Sequence, residues 1–233
     1  MTSISEIFLG IPPATLSVIA MCSTMFIFSS VGLANVNHWT VCSGPVVYSY
    51  QLYRLLTSPF LHLGIFHVGM NMFTFSGIGG IVERAVGTLP TFGLIFLFSL
   101  LSNLLYVAVS WTIYAATAAP GDFSELLNCA AGFSGVIFAF LVLQISMSDQ
   151  AEQRIFCVMV PTWSYPWVLV VLLSLIMPEV SFLGHLSGIV VGWLYSKNLL
   201  SWLSLSQGKI RALEGSSALR MLVAHSCFCP APD

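Results

Sequence analysis

The chain has 233 residues, of which 57% are hydrophobic and only 7% are charged, and its formal net charge is -2 at pH 7. This composition excludes an ordinary soluble protein, a disordered chain and a collagen-like chain, and it indicates an integral membrane protein. With only seven Lys and Arg residues, the sequence offers no electrostatic surface for nucleic acid, so we expect no nucleic-acid partner.

Six apolar segments are each about long enough to cross a bilayer, which takes roughly 20 helical residues. In chain order, spans one to six are predicted at residues 13–33, 65–82, 90–115, 129–147, 163–177 and 182–200. Pro161 and Pro166 interrupt the apolar run of span five, so they kink this helix or delay its start. The sequence therefore predicts an all-α membrane protein, with a six-transmembrane-helix bundle in residues 1–200 and a short cytosolic tail in residues 201–233.

The basic residues indicate the orientation of these spans. If both termini are cytosolic, only Arg54 lies outside, and the other basic residues lie inside: Arg84, Arg154, Lys197, Lys209, Arg211 and Arg220. This distribution fits the positive-inside rule.

The long first outer loop, residues 34–64, is rich in aromatic and aliphatic residues, which favours partial burial in the membrane interface. For the tail, a surface-lying amphipathic segment and a plain flexible chain both remain open.

The cysteines do not indicate a metal site, because they form no C-x-x-C pair and are not interleaved with histidines at zinc-ligand spacing. We therefore expect no metal. Cys42 and Cys129 fall on the same side of the membrane in this topology and are able to pair, but we favour free, apolar cysteines. Cys227 and Cys229, near the C-terminus, are candidates for acylation only on a weak signal.

Three spans carry a polar residue near the same depth. Spans two, four and six run in the same direction, and His67, Ser134 and His185 lie near their outer ends, within roughly one or two helical turns of one another. Asn71 lies one turn deeper than His67 on the same face. Taken singly, each residue is better explained by hydrogen bonding within its own helix or by packing. Together they predict a polar pocket, because polar side chains in hydrocarbon face the bundle interior or a wet cavity.

Small residues recur at every fourth position on spans four and six: Ala131, Gly135 and Ala139 on the former, and Gly184, Gly188 and Gly192 on the latter. Such stripes let two helices approach closely, although alone they imply packing only. Ser134 precedes one stripe residue and His185 follows another. A contact between the stripes would therefore bring the hydroxyl and the imidazole within hydrogen-bond reach.

These residue types suit nucleophilic catalysis. A serine is a weak nucleophile that a neighbouring base activates, and donors aimed at the developing oxyanion stabilise the tetrahedral intermediate. Ser134 and His185 supply the first pair, while His67, Asn71 and the N–H groups at the start of span four supply donors.

A Ser-His dyad is expected in place of a triad. Glu179, six residues before His185, is expected to point to water, and Glu83 lies at the far end of span two. Phe138 lies one turn beyond Ser134 and could pack against the His185 ring, although an ordinary core aromatic explains it equally well.

The residues Gly132-Phe133-Ser134-Gly135 and Gly184-His185-Leu186-Ser187-Gly188 resemble the motifs of the rhomboid family of intramembrane serine proteases. His62, His67 and Asn71 are similar to the family's H-x-x-x-x-H-x-x-x-N pattern on helix two, and Glu83-Arg84 with Gly87 resembles its E-R-x-x-G. Tyr53-Arg54 stands where many members carry Trp-Arg. The resemblance covers residues 51–195. The chain departs from the family pattern at three positions. It has Tyr53 where Trp is usual, Phe138 where Tyr is frequent, and Ser181 where Gly or Ala is common. None of these changes removes a reactive group.

The resemblance implies a six-helix rhomboid bundle, without a cofactor, that cleaves transmembrane protein substrates entering laterally from the lipid bilayer. It implies that Ser134 is the nucleophile, that His185 is the general base and then acid, and that His67, Asn71 and the Ser134 N–H form the oxyanion hole. The remaining motif residues are expected to support this site: Gly132, Gly135, Phe138, Gly188 and His62.

Two alternatives remain open. One is a catalytically silent rhomboid-like protein that binds transmembrane clients for trafficking or quality control; inactive relatives lose the Ser/His pair or carry Pro before the serine, where this chain has Phe133. The other, a transporter or channel, is disfavoured because the ionisable residues trace no path across the membrane.

The spacing around the last outer loop resembles eukaryotic secretory-pathway members, so we expect an ER or Golgi membrane. The natural substrate and oligomeric state stay open.

Overall fold

The computed structural model describes residues 10–119, 124–177 and 180–232. Within these residues the α-helices, in chain order, are α1 (Pro13–Ser30), α2 (Ser43–Tyr48), α3 (Arg54–Thr57), α4 (Ile65–Val86), α5 (Thr88–Thr117), α6 (Ser134–Ser146), α7 (Tyr165–Ile176), α8 (Phe182–Ser196), α9 (Gln207–Glu214) and α10 (Arg220–Val223). The strands are β1 (Val41–Cys42), β2 (Cys129–Ala130), β3 (Glu152–Ile155) and β4 (Val158–Pro161).

The described chain is predominantly helical, as predicted. By length and composition, α1, α4 and α5 are able to cross a membrane. The shorter apolar helical segments Ser134–Ser146, Thr162–Ile176 and Phe182–Ser196 lie where spans four to six were predicted. All six predicted segments contain an apolar helix, and the count of six membrane spans stays a prediction.

The fourth predicted span begins five residues later than expected. Residues 129–130 form β2, which pairs antiparallel with β1, so that Val41 faces Ala130. The chain then passes through Gly132 at a φ of 117°, a conformation that ends extended structure and precludes a continuous helix across this point. As a result, α6 starts at Ser134 itself.

The prediction that Cys42 and Cys129 are free is wrong, because the structure joins them in a disulfide. The register of β1 and β2 places the two residues directly opposite each other. They are separated by 87 residues in the chain, so this pairing depends on how the outer segment folds back onto β2. Among the described residues the free cysteines are Cys22, Cys157, Cys227 and Cys229.

A second departure from an all-α fold lies between α6 and α7, where β3 and β4 form an antiparallel hairpin. Its turn contains Phe156 at a φ of 52°, and the side chain is 81% exposed. The chain then enters α7 at Tyr165, with Pro166 in the first helical turn, where a proline costs no hydrogen bond. Pro161 and Pro166 thus delay the start of this helix, which is one of the two predicted effects.

The predicted contact between the small-residue stripes is confirmed. A Cβ atom built on Gly188 would overlap the carbonyl oxygen of Gly135, and one built on Gly192 would lie 2.6 Å from the carbonyl oxygen of Ala139. Helices α6 and α8 therefore pack backbone against backbone, which only residues without a larger side chain permit. This close approach brings the first turns of the two helices together.

Aromatic rings fix α6 within the bundle. Phe75, Phe98, Phe133 and Phe140 are fully buried. The ring of Phe75 contacts Phe133 and Phe140 edge-on, with centroids 4.8 and 5.4 Å apart, and Phe98 contacts Phe140 at 5.5 Å. Each such pair contributes about 0.5–1.5 kcal/mol beyond its burial. Because Phe133 directly precedes Ser134, this cluster also anchors the start of α6.

The opposite end of the bundle is organised by Glu83, which is completely buried. Its carboxylate accepts hydrogen bonds from the backbone N–H groups of Ala14 and Thr15 at 2.9 and 2.8 Å. It also accepts from the hydroxyls of Thr15 and Thr88, both at 2.8 Å. The anion therefore caps the first turn of α1, where unpaired N–H groups and the helix dipole favour negative charge, and it joins α1, α4 and α5.

The tail packs against this same end. Thr88 donates its N–H to the carbonyl of Cys229 at 2.7 Å, and its hydroxyl accepts from the N–H of Cys229 at 3.0 Å. Gly87, at a φ of 100°, has no room for a side chain, since a Cβ would lie 2.8 Å from the Cα of Ala231. The described tail is thus helical in α9 and α10 and docked onto the start of α5.

Candidate active site

A cavity of about 930 Å³ opens at the end of the bundle where α6 and α8 begin. Its described lining includes His67, Gly132, Ser134, Gly135 and His185, which the sequence singled out. None of the described lining residues is Asp, Glu, Lys or Arg. A concave, mostly apolar cavity with a few converging polar groups is typical of a ligand or substrate site.

Ser134 is the first residue of α6. Its Oγ lies 2.7 Å from Nε2 of His185, which is a hydrogen bond between the two predicted reactive groups. N–H groups in the first turn of a helix have no intrahelical acceptor, and the dipole there favours negative charge. The serine hydroxyl therefore lies beside backbone donors of the kind that stabilise an oxyanion.

His185 lies in the first turn of α8, which begins at a local cap. The hydroxyl of Ser181 accepts from the N–H of Gly184 at 3.1 Å and so stabilises the start of this helix. The imidazole is buried, and the Phe138 ring packs against it with centroids 5.0 Å apart. This contact restricts the orientation of the imidazole, as the spacing of Ser134 and Phe138 on one helix suggested.

The second ring nitrogen of His185, Nδ1, is buried and has no hydrogen-bond partner among the described residues. Glu179, the carboxylate expected to face water, lies outside the described residues, as does Pro178. Glu83 caps α1 at the far end of the bundle. The described part of the chain therefore presents a hydroxyl-imidazole pair without a carboxylate on Nδ1.

His67 lies directly against the backbone of Gly132. A Cβ atom on Gly132 would be 2.7 Å from both Cε1 and Nε2 of His67, so glycine is required here by space as well as by its φ of 117°. The imidazole edge of His67 therefore faces the segment that leads into Ser134. This position suits a hydrogen-bond donor to an oxyanion formed next to Ser134.

Asn71 lies one turn below His67 on α4 and is buried. Its Nδ2 donates to the carbonyl of His67 at 2.8 Å, and its Oδ1 has no partner among the described residues. Asn71 is not among the residues that line the cavity. An amide nitrogen carries two hydrogens, so one of them remains for a ligand while the other is held by the backbone.

His62 supports the backbone and does not line the cavity. It is 1% exposed, and its Nε2 accepts the N–H of Phe133 at 3.4 Å. Burial, reinforced by the nearby His67 ring, lowers the pKa of His62 to about 3. The ring is therefore neutral near pH 7, which leaves a ring nitrogen free to accept this hydrogen bond. The supporting role of His62 stays a prediction.

Helix α5 presents a polar face to the cavity that was not predicted from the sequence. Residues at spacings of three, four and seven along this helix line the cavity: Ser99, Ser102, Asn103, Tyr106 and Ser110. The buried hydroxyls of Ser99 and Ser102 have no hydrogen-bond partner among the described residues. The periodic polar positions within an otherwise apolar span were the available signal for this face.

Ser58, which was not predicted from the sequence, holds the segment before Ser134. Its hydroxyl donates to the carbonyl of Ala130 at 2.6 Å, and its carbonyl accepts the N–H of Gly132 at 3.2 Å. Arg54 organises the outer segment behind it: its guanidinium donates to the carbonyls of Asn37 and Thr40 at 2.8 and 2.7 Å. No motif identifies Ser58, because its partners lie about 70 residues away in sequence.

The described residues contain no group of three or more His, Cys, Asp or Glu side chains placed to hold a metal ion. At the start of α6 the cavity brings together the hydroxyl of Ser134, the imidazoles of His67 and His185, and backbone N–H groups. This set is able to activate a nucleophile, to stabilise an oxyanion and to return a proton to a leaving group.

Comparison with known proteins identifies the family of this chain. A rhomboid domain family model matches residues 49–202. Rhomboid-like protein 15 of Arabidopsis thaliana is 28% identical over 97% of this chain and 57% of its own length. Rhomboid-related protein 4 of Homo sapiens is 33% identical over 82% of this chain and 59% of its own length. Rhomboid-type serine protease 2 of Neurospora crassa is 30% identical over 75% and 60%, respectively.

The chain thus spans somewhat more than half the length of these curated relatives. The matched domain, in contrast, covers more than half of the chain, and it contains every predicted site residue from His62 to Gly188. The chain therefore belongs to the rhomboid family of membrane-embedded proteins.

Proposed function

We propose that this chain is an intramembrane serine endopeptidase that hydrolyses peptide bonds of transmembrane proteins with a Ser134-His185 dyad. The observation that supports this function best is the 2.7 Å hydrogen bond between Ser134 Oγ and His185 Nε2 within a large cavity. A half-buried serine and a buried histidine from different helices gain little as packing residues. Placed in contact at a cavity, they form the pair that acyl transfer needs.

In the proposed reaction, His185 accepts the hydroxyl proton of Ser134 at Nε2 while Oγ attacks the carbonyl carbon of the substrate peptide bond. The tetrahedral intermediate collapses as the imidazolium gives this proton to the departing amine, which leaves an acyl-enzyme ester on Ser134. A water molecule then attacks the ester carbon while His185 accepts its proton, and the bond to Ser134 Oγ breaks as the imidazolium returns this proton to Oγ. The products are an amine terminus, a carboxyl terminus and the regenerated serine.

The oxyanion of each tetrahedral intermediate is proposed to be stabilised by His67, Asn71 and the Ser134 N–H. His67 is the best placed side chain, since it contacts Gly132, two residues before the nucleophile. Asn71 holds the His67 carbonyl and acts from one turn below. A single donor of this kind typically contributes about 3 kcal/mol to the transition state.

Hydrolysis inside a membrane also requires water next to the acyl-enzyme. The polar face of α5 offers hydrogen-bonding groups in the same cavity, and the hydroxyls of Ser99 and Ser102 are not engaged by other described residues. Buried water is typically held by two to four polar partners. We propose that this face retains the water that the second half-reaction consumes.

The topology and location are part of this proposal. Six spans, with both termini in the cytosol, place the cavity toward the outer side of the membrane and open it to substrates from the bilayer. The Cys42–Cys129 disulfide supports an oxidising compartment on that side, since such bonds persist in the secretory pathway and not in the cytosol. An ER or Golgi membrane meets this condition.

The test is labelling of the detergent-solubilised full chain with a fluorophosphonate probe, which reacts with activated serines. We expect labelling of the wild type, none of Ser134→Ala, and strongly reduced labelling of His185→Ala. The matched control is Ser146→Ala, at the other end of α6, where the hydroxyl bonds only its own helix. Equal labelling of wild type and Ser134→Ala would refute the assigned nucleophile.

A second measurement identifies the reaction. A panel of tagged single-span proteins is co-expressed with the wild type or with Ser134→Ala, and the product termini are mapped by mass spectrometry. Fragments that depend on Ser134 support the protease. Clients that co-precipitate equally with both forms and yield no fragment would support the catalytically silent, client-binding alternative.

A further inference from the structure

The disulfide lies close to the nucleophile along the chain. Cys129 belongs to β2, five residues before Ser134, and its partner Cys42 belongs to β1 in the outer segment. Of the intervening residues, Ala130, Ala131 and Gly132 line the cavity, and Phe133 is buried in the core. The crosslink therefore ends at the segment that determines where the first N–H groups of α6 lie.

This segment is held at successive points by residues from elsewhere in the chain. The carbonyl of Asn128 accepts from the Tyr106 hydroxyl at 3.0 Å. Ser58 contacts the carbonyl of Ala130 and the N–H of Gly132, and His62 accepts from the N–H of Phe133. At position 129 the constraint is covalent, which makes it the strongest of the series.

The other half of the crosslink is itself immobilised. Cys42 is buried, and β1 follows directly after Thr40, whose carbonyl accepts a hydrogen bond from the buried Arg54 guanidinium. Arg54 also donates to the side chain of Gln51 at 2.7 Å. The disulfide thus attaches the segment before Ser134 to a fixed outer scaffold and not to a free loop.

Small displacements of this segment affect the proposed oxyanion hole directly. The backbone of Gly132 is in contact with His67, and Ser134 follows two residues later. A shift of residues 130–133 therefore changes the distance between the His67 ring and the N–H of Ser134. Misplacing catalytic groups by about 1 Å costs on the order of 100-fold in rate.

We propose that the Cys42–Cys129 disulfide is a positioning bond for the oxyanion segment, so that the oxidised chain is the catalytically competent form. This proposal rests on the proposed protease function. A disulfide that only stabilised the fold would change the fraction of folded protein. A positioning bond changes the catalytic constant of protein that remains folded.

The chain offers an entry point for testing this by reduction. Cys129 is exposed at the surface whereas Cys42 is buried. A dithiol such as dithiothreitol attacks the sulfur of Cys129 as a thiolate and forms a mixed disulfide, with Cys42 leaving as a thiolate. The second thiol of the reagent then displaces Cys129, which yields two protein thiols and the oxidised, cyclic reagent.

The experiment compares the oxidised wild type, the reduced wild type and the double variant Cys42→Ser/Cys129→Ser, all as full chains in detergent. Cys157→Ser is the matched control, because this exposed free cysteine lies in the turn between β3 and β4. The assays measure fluorophosphonate labelling rates and, with a cleaved tagged substrate, kcat and KM. Alkylation followed by mass spectrometry verifies complete reduction, and thermal unfolding verifies that each form is folded at the assay temperature.

We expect reduction and the double substitution to lower kcat by about 10- to 100-fold while KM changes by less than about twofold, and reoxidation of the wild type to restore kcat. The Cys157→Ser variant should lose none of its rate in the oxidised state. Because the wild type is reduced after it has folded, this result does not depend on the folding of the double variant.

Activity that stays within about twofold after complete reduction would overturn the positioning role while leaving the proposed protease function intact. A loss of rate that only follows the loss of folded protein would overturn it as well. Absence of labelling in every form, including the oxidised wild type, would refute the protease function and this proposal together.

Discussion

Replacing Gly132 by alanine tests whether the approach of His67 to the oxyanion segment matters for catalysis. The new Cβ atom would lie 2.7 Å from Cε1 and Nε2 of His67. Because carbon atoms pack at about 3.5–4.0 Å, the ring or the segment has to move by roughly 1 Å. In addition, the φ of 117° costs an L-residue about 1–3 kcal/mol.

The expected consequence is a fall of about 100-fold in kcat/KM, or about 2.7 kcal/mol in transition-state stabilisation. The unfolding free energy should fall by about 1–3 kcal/mol, as measured by thermal or denaturant unfolding in detergent. Steady-state cleavage of a tagged substrate gives kcat/KM for protein that is shown to be folded.

Gly77→Ala is the matched control, because this α4 glycine has open space around its Cβ position. Alanine in a helix is intrinsically favoured over glycine by about 1 kcal/mol, so Gly77→Ala should retain full activity and equal or higher stability. If Gly132→Ala retains both the activity and the stability of the wild type, the inferred contact with His67 is not required.

Two further predictions follow from the packing and from the buried histidine. Gly188→Ala should separate α6 from α8 and abolish labelling of Ser134, because its Cβ would overlap a backbone oxygen; Gly93→Ala on α5, with open space, should label like the wild type. Burial lowers the pKa of His62 to about 3 in the folded chain, from about 6.5 in the unfolded chain. Between these two pH values the imidazole is protonated only in the unfolded chain. The free energy of unfolding should therefore fall on acidification by up to about 1.4 kcal/mol per pH unit. Unfolding of wild type and His62→Gln at pH 7, 5.5 and 4.5 measures this loss, with exposed His38→Gln as the control; identical pH slopes in all three would contradict it.

The sequence predicted the parts of the site that depend on local spacing. His67 and Asn71 share one helical face, and Ser134 and His185 adjoin small residues that recur every fourth position, so helical geometry alone places them near a common seam. The structure shows this seam and the contact between the hydroxyl and the imidazole. The catalytic roles of these residues stay predictions until labelling is measured.

The parts that sequence reasoning missed depend on tertiary folding. The start of α6 depends on the positive φ of Gly132. A glycine within an apolar segment does not by itself predict this conformation. The Cys42–Cys129 disulfide depends on the register between two two-residue strands, which carry too little periodicity to be recognised. The β3–β4 hairpin falls within a connection that span prediction treats as a loop. Ser58 holds the segment before Ser134 through one hydroxyl and one backbone carbonyl, and a single serine in a loop carries no pattern that would identify this role.

The cap on α1 has a consequence for how the protein is made. Glu83 lies 69 residues after Ala14, so the N–H groups that open α1 meet their acceptor only after the whole second apolar helix has been synthesised. Until then the N–H donors that open α1 must remain hydrated or be held by the insertion machinery. The first helix therefore completes its docking late during biogenesis. Variants that lack the Glu83 carboxylate should remain partly assembled and be removed by cellular quality control.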